Sequence, residues 1–139
     1  MNYEKLTVNE LFNEYEHLGI QKMKLIQKMN RMKHSKQLFM DDGTISFPQA
    51  ESDLKFIKET IRNKFYSGKS KHEGKISFKE IMENSDEWVQ YLIQLVEARW
   101  TLDVAKSEYK YLKSKLDSVL EKMNHIRDLI RNLNRSTTS

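Results

Sequence analysis

The 139-residue sequence contains no cysteine, one proline and four glycines. Without cysteine the chain forms neither disulfides nor thiolate metal sites, and it has no thiol nucleophile. The scarcity of proline and glycine leaves few turns, and 32 % of the residues are charged, a composition typical of long helices or coiled coils. We therefore expect an all-α protein in which strands are scarce.

Long apolar runs are also missing. No stretch approaches the ~20 apolar residues of a membrane span. The first eleven residues mix charged with apolar side chains and lack the apolar segment of a secretory signal. We expect a cytoplasmic protein with no membrane partner.

The sequence has no pattern of catalytic or metal-binding chemistry. The four histidines fall in separate segments, and none stands in a His-x-x-x-His or Glu-x-x-His arrangement. A glycine-rich phosphate loop and a Gly-x-Ser-x-Gly elbow are absent. We expect no catalytic residue, no metal and no cofactor, and we predict that the protein is not an enzyme.

Positive charge is concentrated in two parts of the chain. Residues 20–40 hold six basic residues and no acidic one, and residues 55–75 hold seven basic residues against Glu59 and Glu73. Residues 80–87, by contrast, hold four acids and no base. With a net charge of +4 and a pI near 9.2, this distribution favours a polyanionic partner such as nucleic acid. The alternative is that these runs are solvated helix faces.

Two helices are predicted in the first half. Thr7 and Glu10 form a capping-box pattern, so the first helix should begin near Val8 and span residues 8–39. Pro48 opens a second helix over residues 48–67, and a polar loop follows over residues 68–76. The apolar positions of the second helix lie three or four residues apart, at Ala50, Leu54, Ile57, Ile61 and Phe65.

A third helix over residues 77–134 carries the strongest pattern. From Trp88 to Leu133 apolar residues alternate in spacings of three and four, which specifies one helix of roughly 70 Å with a narrow apolar seam. Further apolar residues beside the seam widen it at its N-terminal end, at Val89, Leu92, Ile93 and Val96. Residues 136–139 are predicted to form a disordered tail.

Another helix must cover the seam. Either the chain's own first helix folds back on it or a second copy packs there, and we expect both to contribute. The fold prediction is one domain, residues 1–139, built as a helical hairpin or bundle that is oligomeric. The residues predicted to form the oligomer contact are Leu102, Tyr109, Leu112, Leu116, Val119, Met123, Ile126 and Ile130.

A short repeat, Gly-x-Ile-Ser-Phe, occurs at residues 43–47 and 74–78 and resembles the second half of an EF-hand loop. The first halves contradict a calcium site, because Leu38, Met40, Lys69 and Lys71 stand where oxygen ligands are needed. Three alternatives remain: a degenerate EF-hand pair without calcium, a small antiparallel pairing of the two segments, or two independent helix leaders.

The end of the second helix and the loop after it combine cations with two adjacent aromatics. Lysine and arginine neutralise phosphates, and an exposed aromatic ring stacks on a base. Phe65 is expected in the core, which leaves Tyr66 for stacking. The predicted nucleic-acid-binding residues are Lys58, Arg62, Lys64, Tyr66, Lys69 and Lys71.

This segment resembles the UvsY-type recombination mediators of tailed phages. The shared motif is an arginine, an aromatic pair, Ser/Thr-Gly and a basic residue. In this sequence these are Arg62, Phe65–Tyr66, Ser67–Gly68 and Lys69. The downstream layout of polar loop, acidic helix start and long C-terminal helix also agrees, so that the resemblance covers about the last 80 residues. Of the family's basic residues before the aromatic pair, Arg62 carries over. The position two residues earlier is Thr60 here, with Lys58 and Lys64 nearby.

The resemblance implies a ring-forming, non-enzymatic accessory protein that binds single-stranded DNA. It would help to load a RecA-like recombinase onto strands covered by a single-strand-binding protein, in the cytoplasm of an infected bacterial host. The alternative interpretation is a coiled-coil adaptor, scaffold or inhibitor that binds a protein partner and no nucleic acid.

Overall fold

The computed structural model describes residues 2–65 and 85–138, with side chains described as far as residue 135. A short 3-10 helix, Tyr3–Lys5, precedes three α-helices: α1 (Val8–His34), α2 (Phe47–Phe65) and α3 (Ser85–Thr138). The helices pack against each other, and the described residues contain no strand. The prediction of an all-α fold with a long C-terminal helix is confirmed. No described helix is both long enough and apolar enough to cross a membrane.

The chain forms two compact units, where the sequence predicted a single domain. Unit 1 comprises Met1–Arg31 and Glu108–Ser139, and unit 2 comprises Met32–Ser107. α3 therefore contributes its C-terminal part to unit 1 and its N-terminal part to unit 2.

The start of α1 follows the predicted capping box. The Glu10 carboxylate accepts a hydrogen bond from the Thr7 backbone N–H at 3.1 Å, and the Thr7 hydroxyl oxygen accepts one from the Glu10 N–H at 3.2 Å. These bonds satisfy two donors that the first helical turn would otherwise leave unpaired. The helix accordingly begins at Val8, as predicted.

α1 ends at His34, five residues before the predicted end at residue 39. The sequence has no glycine or proline between His34 and Gly43 to stop the helix, but backbone hydrogen bonds from Met40 N–H to the Thr44 carbonyl and from Ser46 N–H to the Leu38 carbonyl form a tight hairpin. Phe39 and Ile45 form an antiparallel bridge, and Gly43 takes a φ of +82° at the turn. The first copy of the repeat thus pairs with residues just upstream of it, and the second copy lies outside the described residues.

α2 begins at Phe47, one residue before the predicted start at Pro48. Ser46 is fully buried, and its hydroxyl donates to the Ser35 carbonyl at 2.6 Å and lies 3.5 Å from the Gln49 N–H. One side chain therefore fixes both the end of the hairpin and the first turn of α2. The predicted loop over residues 68–76 and the predicted α3 start at residue 77 lie outside the described residues.

In unit 1, α1 and α3 run antiparallel. Near one end the rings of Tyr3 and His125 lie 6.1 Å apart, and toward the other Lys28 Nζ lies 3.1 Å from Glu108 Oε1. The core between the two helices is formed by Leu11, Leu18, Val119, Met123 and Ile126.

In unit 2, α2 packs on the N-terminal part of α3. Phe65 is fully buried, and its ring meets Trp88 at 4.9 Å and Tyr91 at 5.8 Å between centroids, both edge to face. At its other end α3 continues to Thr138. The helical backbone thus includes residues 136–138, where the sequence predicted a disordered tail.

Candidate nucleic-acid interface

The predicted site on α2 is only partly assembled. Lys58 and Arg62 are both exposed, and their separation of four residues places them on one face of the helix together with Lys55. Tyr66, Lys69 and Lys71 lie outside the described residues. The structure thus brings two of the six predicted residues together.

Lys64 is engaged differently. It stands six residues from Lys58, which is not a same-face spacing, and its ammonium nitrogen lies 2.9 Å from Glu87 Oε1 on α3. Both side chains are about 40 % exposed, and a surface pair of this kind contributes at most about 1 kcal/mol. Lys64 therefore ties α2 to α3, and its charge is compensated locally.

Phe65 belongs to the core, as the sequence predicted. Its ring is fully buried against Trp88 and Tyr91 and does not stack on a base. The exposed aromatic of α2 is instead Phe56, which is 70 % exposed.

The residues predicted to form the oligomer contact lie largely inside the chain. Five of the eight are buried, and Tyr109, Leu116 and Ile130 are half-buried. In unit 1 the covering residues come from the chain's own α1 and include Leu11 and Leu18. A periodic apolar seam must be buried, but the period is the same whether the partner helix is in the same chain or in another. The seam in unit 1 is thus covered within the chain, which removes it as an exposed contact surface.

A basic groove that the sequence did not predict lies between α1 and α3 of unit 1. It is an open groove of about 330 Å³, and no carboxylate lines it. Three of its seven lining residues are exposed lysines, one from α1 and two from α3. We call this feature the lysine groove, and its lining residues are Gln21, Lys24, Leu25, Lys115, Ser118, Val119 and Lys122.

An exposed aromatic ring stands beside the lysine groove. Tyr111 is 59 % exposed, and Lys115 Nζ lies 5.3 Å from its ring centroid in a cation–π arrangement. Tyr111 lies one helical turn before Lys115, on the same side of α3. A ring that flanks a row of ammonium groups is the combination by which proteins bind single strands without reading sequence.

The α3 side of this groove can be predicted from the sequence, and the α1 side cannot. Residues 111, 115, 118 and 122 are spaced by four, three and four, so a helical projection of α3 groups Tyr111 with Lys115 and Lys122. Lys24 joins them only because α1 folds back on α3, and this pairing is not visible in local spacing. The nearby Glu108 carboxylate is already paired with Lys28 at 3.1 Å.

His17, His34 and His125 are exposed, and within the described residues no three histidine, aspartate or glutamate side chains are placed to hold a metal ion together. His72 lies outside the described residues.

Comparisons of the chain with protein-family models, curated proteins and solved structures find no match. The similarity to UvsY-type mediators therefore stays a prediction from the motif around Arg62.

Proposed function

We propose that the protein is a non-enzymatic accessory protein that binds single-stranded DNA and acts as a homo-oligomer. The observation that carries the proposal is the lysine groove with Tyr111 at its side. The resemblance extends the proposal to a role in phage recombination, replication and repair, where the protein would help to load a RecA-like recombinase onto strands covered by a single-strand-binding protein.

The groove has the physical properties that strand binding requires. Lys24, Lys115 and Lys122 line one open channel without a carboxylate, so a phosphate there meets no like charge in the lining. Releasing the counterions of bound phosphates supplies the affinity and makes it depend on salt. Three lysines alone give weak binding, and several copies on one strand raise it through effective concentration.

The test measures the fluorescence anisotropy of a labelled oligo(dT) strand as the protein is added. The titration is repeated at salt concentrations between about 50 and 200 mM. Lys115→Ala with Lys122→Ala should weaken binding. The slope of log K against log salt is negative, and for single strands each lost phosphate contact makes it ~0.7 less steep. The double variant should therefore have a slope about 1.4 less steep than that of the wild type.

The matched control is Lys110→Ala with Lys113→Ala. Both lysines are exposed on the same helix but do not line the groove, so this variant has the same net charge and should keep nearly the same slope. Equal losses in the two double variants would show that net charge, and not the groove, carries the binding. Lys58→Ala with Arg62→Ala tests in the same way whether the face of α2 contributes.

A second candidate function, a helical adaptor or scaffold that binds a protein, is favoured by a different observation. Four large apolar residues in the N-terminal part of α3 are exposed, namely Val89, Ile93, Val96 and Trp100. An apolar contact of helices changes little with salt, whereas phosphate binding falls steeply. If oligo(dT) does not bind at low salt, this second function replaces the first.

A further inference from the structure

Unit 2 contains a cavity between α2, the N-terminal part of α3 and the hairpin that precedes α2. Its volume is about 520 Å³, within the range of ~300–1,000 Å³ that is typical of ligand sites. Two of its lining residues are alanines, Ala50 on α2 and Ala98 on α3. Because these side chains are small, they leave space between the two helices that larger ones would fill. We call this feature the unit 2 pocket.

The hairpin side of the pocket is apolar and held in place by backbone hydrogen bonds. Leu38 and Phe39 line the pocket. Phe39 forms the antiparallel bridge with Ile45, and the Leu38 carbonyl accepts a hydrogen bond from the Ser46 N–H at 2.8 Å. The rings of Phe39 and Trp100 line the pocket but are 59 % and 67 % exposed. The pocket is therefore open, with two aromatic rings available to a molecule that enters it.

The charged side chains that line the pocket are both acidic. Asp53 belongs to α2 and Glu97 to α3. Gln49 Nε2 donates a hydrogen bond to Asp53 Oδ1 at 3.0 Å, which orients this carboxylate without neutralising it. Neither carboxylate forms an ion pair with a lysine or arginine in the described part of the chain. The pocket thus combines uncompensated negative charge with apolar walls.

The basic residues of unit 2 do not offset this charge from the pocket lining. Every lysine and arginine that the structure describes in this unit is exposed, and none lines the pocket. Lys55 and Arg99 each stand two residues from a pocket carboxylate, which is about 200° around an α-helix and so on a different face. Lys64 is paired with Glu87 at 2.9 Å. The complementary occupant therefore brings its own cation and an apolar group beside it.

Arginine matches the pocket better than lysine does. A guanidinium group is planar, carries five N–H donors that bond carboxylates, and stacks on aromatic rings. Asp53 and Glu97 supply the carboxylates, and Trp100 supplies an exposed ring.

The openness of the pocket favours a protein over a small molecule. Small-molecule sites enclose about 70–90 % of the ligand surface, whereas the two aromatic rings here are more than half exposed. Tryptophan and arginine are also the residues most often found at the energetic centre of protein interfaces.

We propose that the unit 2 pocket binds an arginine side chain of a partner protein together with an apolar residue next to that arginine. The guanidinium group lies between Asp53 and Glu97 and against Trp100, and the apolar residue contacts Phe39 and Ile57. The proposal goes beyond strand binding, because the pocket is formed within unit 2 and the lysine groove within unit 1.

Tryptophan fluorescence measures the binding, since Trp100 lines the pocket. The probes are acetyl-Leu-Arg-Leu-amide and the same peptide with citrulline, which has the shape of arginine without its charge. The arginine peptide should shift the emission to shorter wavelength, because it displaces water from the ring, and should bind about tenfold more tightly than the citrulline peptide. Trp88→Phe, which leaves Trp100 as the single tryptophan, should show the same shift.

Two double variants test the role of charge. Asp53→Asn with Glu97→Gln keeps the side-chain shapes but removes both pocket charges, so the two peptides should bind equally. The matched control is Glu51→Gln with Asp103→Asn, which removes two exposed acids of α2 and α3 that do not line the pocket. This control has the same net charge and should keep the tenfold preference for arginine. Equal loss of preference in both double variants would overturn the proposal.

Ala98→Leu tests the location, because the larger side chain fills the cavity. Neither peptide should then bind, while circular dichroism should show an unchanged helical content. Unchanged peptide binding in this variant would overturn the proposal, since the peptide would then bind elsewhere. Wild-type protein that binds neither peptide at millimolar concentration, or that binds both equally, would also overturn it.

Discussion

Gly19→Ala should stabilise the protein, although it changes a residue that stands beside the core of unit 1. Gly19 lies well inside α1, which runs Val8–His34. In a helix interior glycine is less favourable than alanine by about 0.8–1.0 kcal/mol, because glycine loses more backbone freedom on folding. The sign then depends on whether a methyl group fits.

The structure indicates that it does. The nearest atom that a Cβ at Gly19 would meet is Met123 Cε, at 4.0 Å, which is ordinary van der Waals contact and requires no movement. The full difference in helix propensity should therefore appear, about 1 kcal/mol in the free energy of unfolding. For a chain of this size that corresponds to a rise in Tm of about 2–4 °C.

Urea unfolding followed by circular dichroism measures this change. Gly43→Ala is the control with the opposite sign. Nothing lies within 4 Å of a Cβ at Gly43, but its φ of +82° is unfavourable for alanine, so a loss of about 1–2 kcal/mol is expected. A Gly19→Ala variant that is less stable than the wild type would refute the reasoning, since it would mean that the helices pack more closely at Gly19 than the 4.0 Å distance allows.

Two further predictions concern unit 1. Glu10→Gln should make the free energy of unfolding depend less on pH in acid. Hydrogen bonds with Thr7 lower the pKa of the Glu10 carboxyl from its ordinary 4.5. The stabilisation by the ionised carboxylate is therefore present above pH 4.5 and is lost as the pH falls through the lower pKa of the folded state. Urea unfolding at pH 3 and pH 6 should therefore differ less in the variant than in the wild type, and an unchanged difference would contradict this. Ile126→Ala should cost about 2–5 kcal/mol in the free energy of unfolding, because Ile126 is fully buried in the α1–α3 core. The same loss in dilute, monomeric protein would agree with a contact inside the chain, whereas a loss that grows with protein concentration would indicate a contact between copies.

The parts of the fold that were predicted correctly from the sequence are those that depend on interactions or spacings between residues close together in the chain. The reciprocal Thr7 and Glu10 hydrogen bonds involve residues three apart, so the start of α1 is encoded within four positions. The burial of Phe65 followed from its place on the apolar period of α2. In both cases the deciding interaction is visible in spacing alone.

The end of α1 was predicted wrongly because a non-local interaction decides it. No glycine or proline stands between His34 and Gly43 to end the helix, yet the bond from Ser46 Oγ to the Ser35 carbonyl joins residues eleven apart in sequence and stabilises the hairpin instead. The lysine groove escaped prediction for the same reason, since Lys24 and Lys115 are brought together only by the packing of α1 on α3.

The covering of the seam also determines how copies of the protein could meet. Residues such as Val119 and Ile126 cannot pack on a second copy while Leu11 and Leu18 of the same chain occupy that side. A contact between copies must then use side chains that folding leaves exposed, and Met23 and Val96 are of this kind. Because Met23 and Val96 are exposed in the single chain, a charge at either position should interrupt assembly without removing core packing. Assembly and strand binding are thereby separable, which would not hold if the seam itself joined the copies.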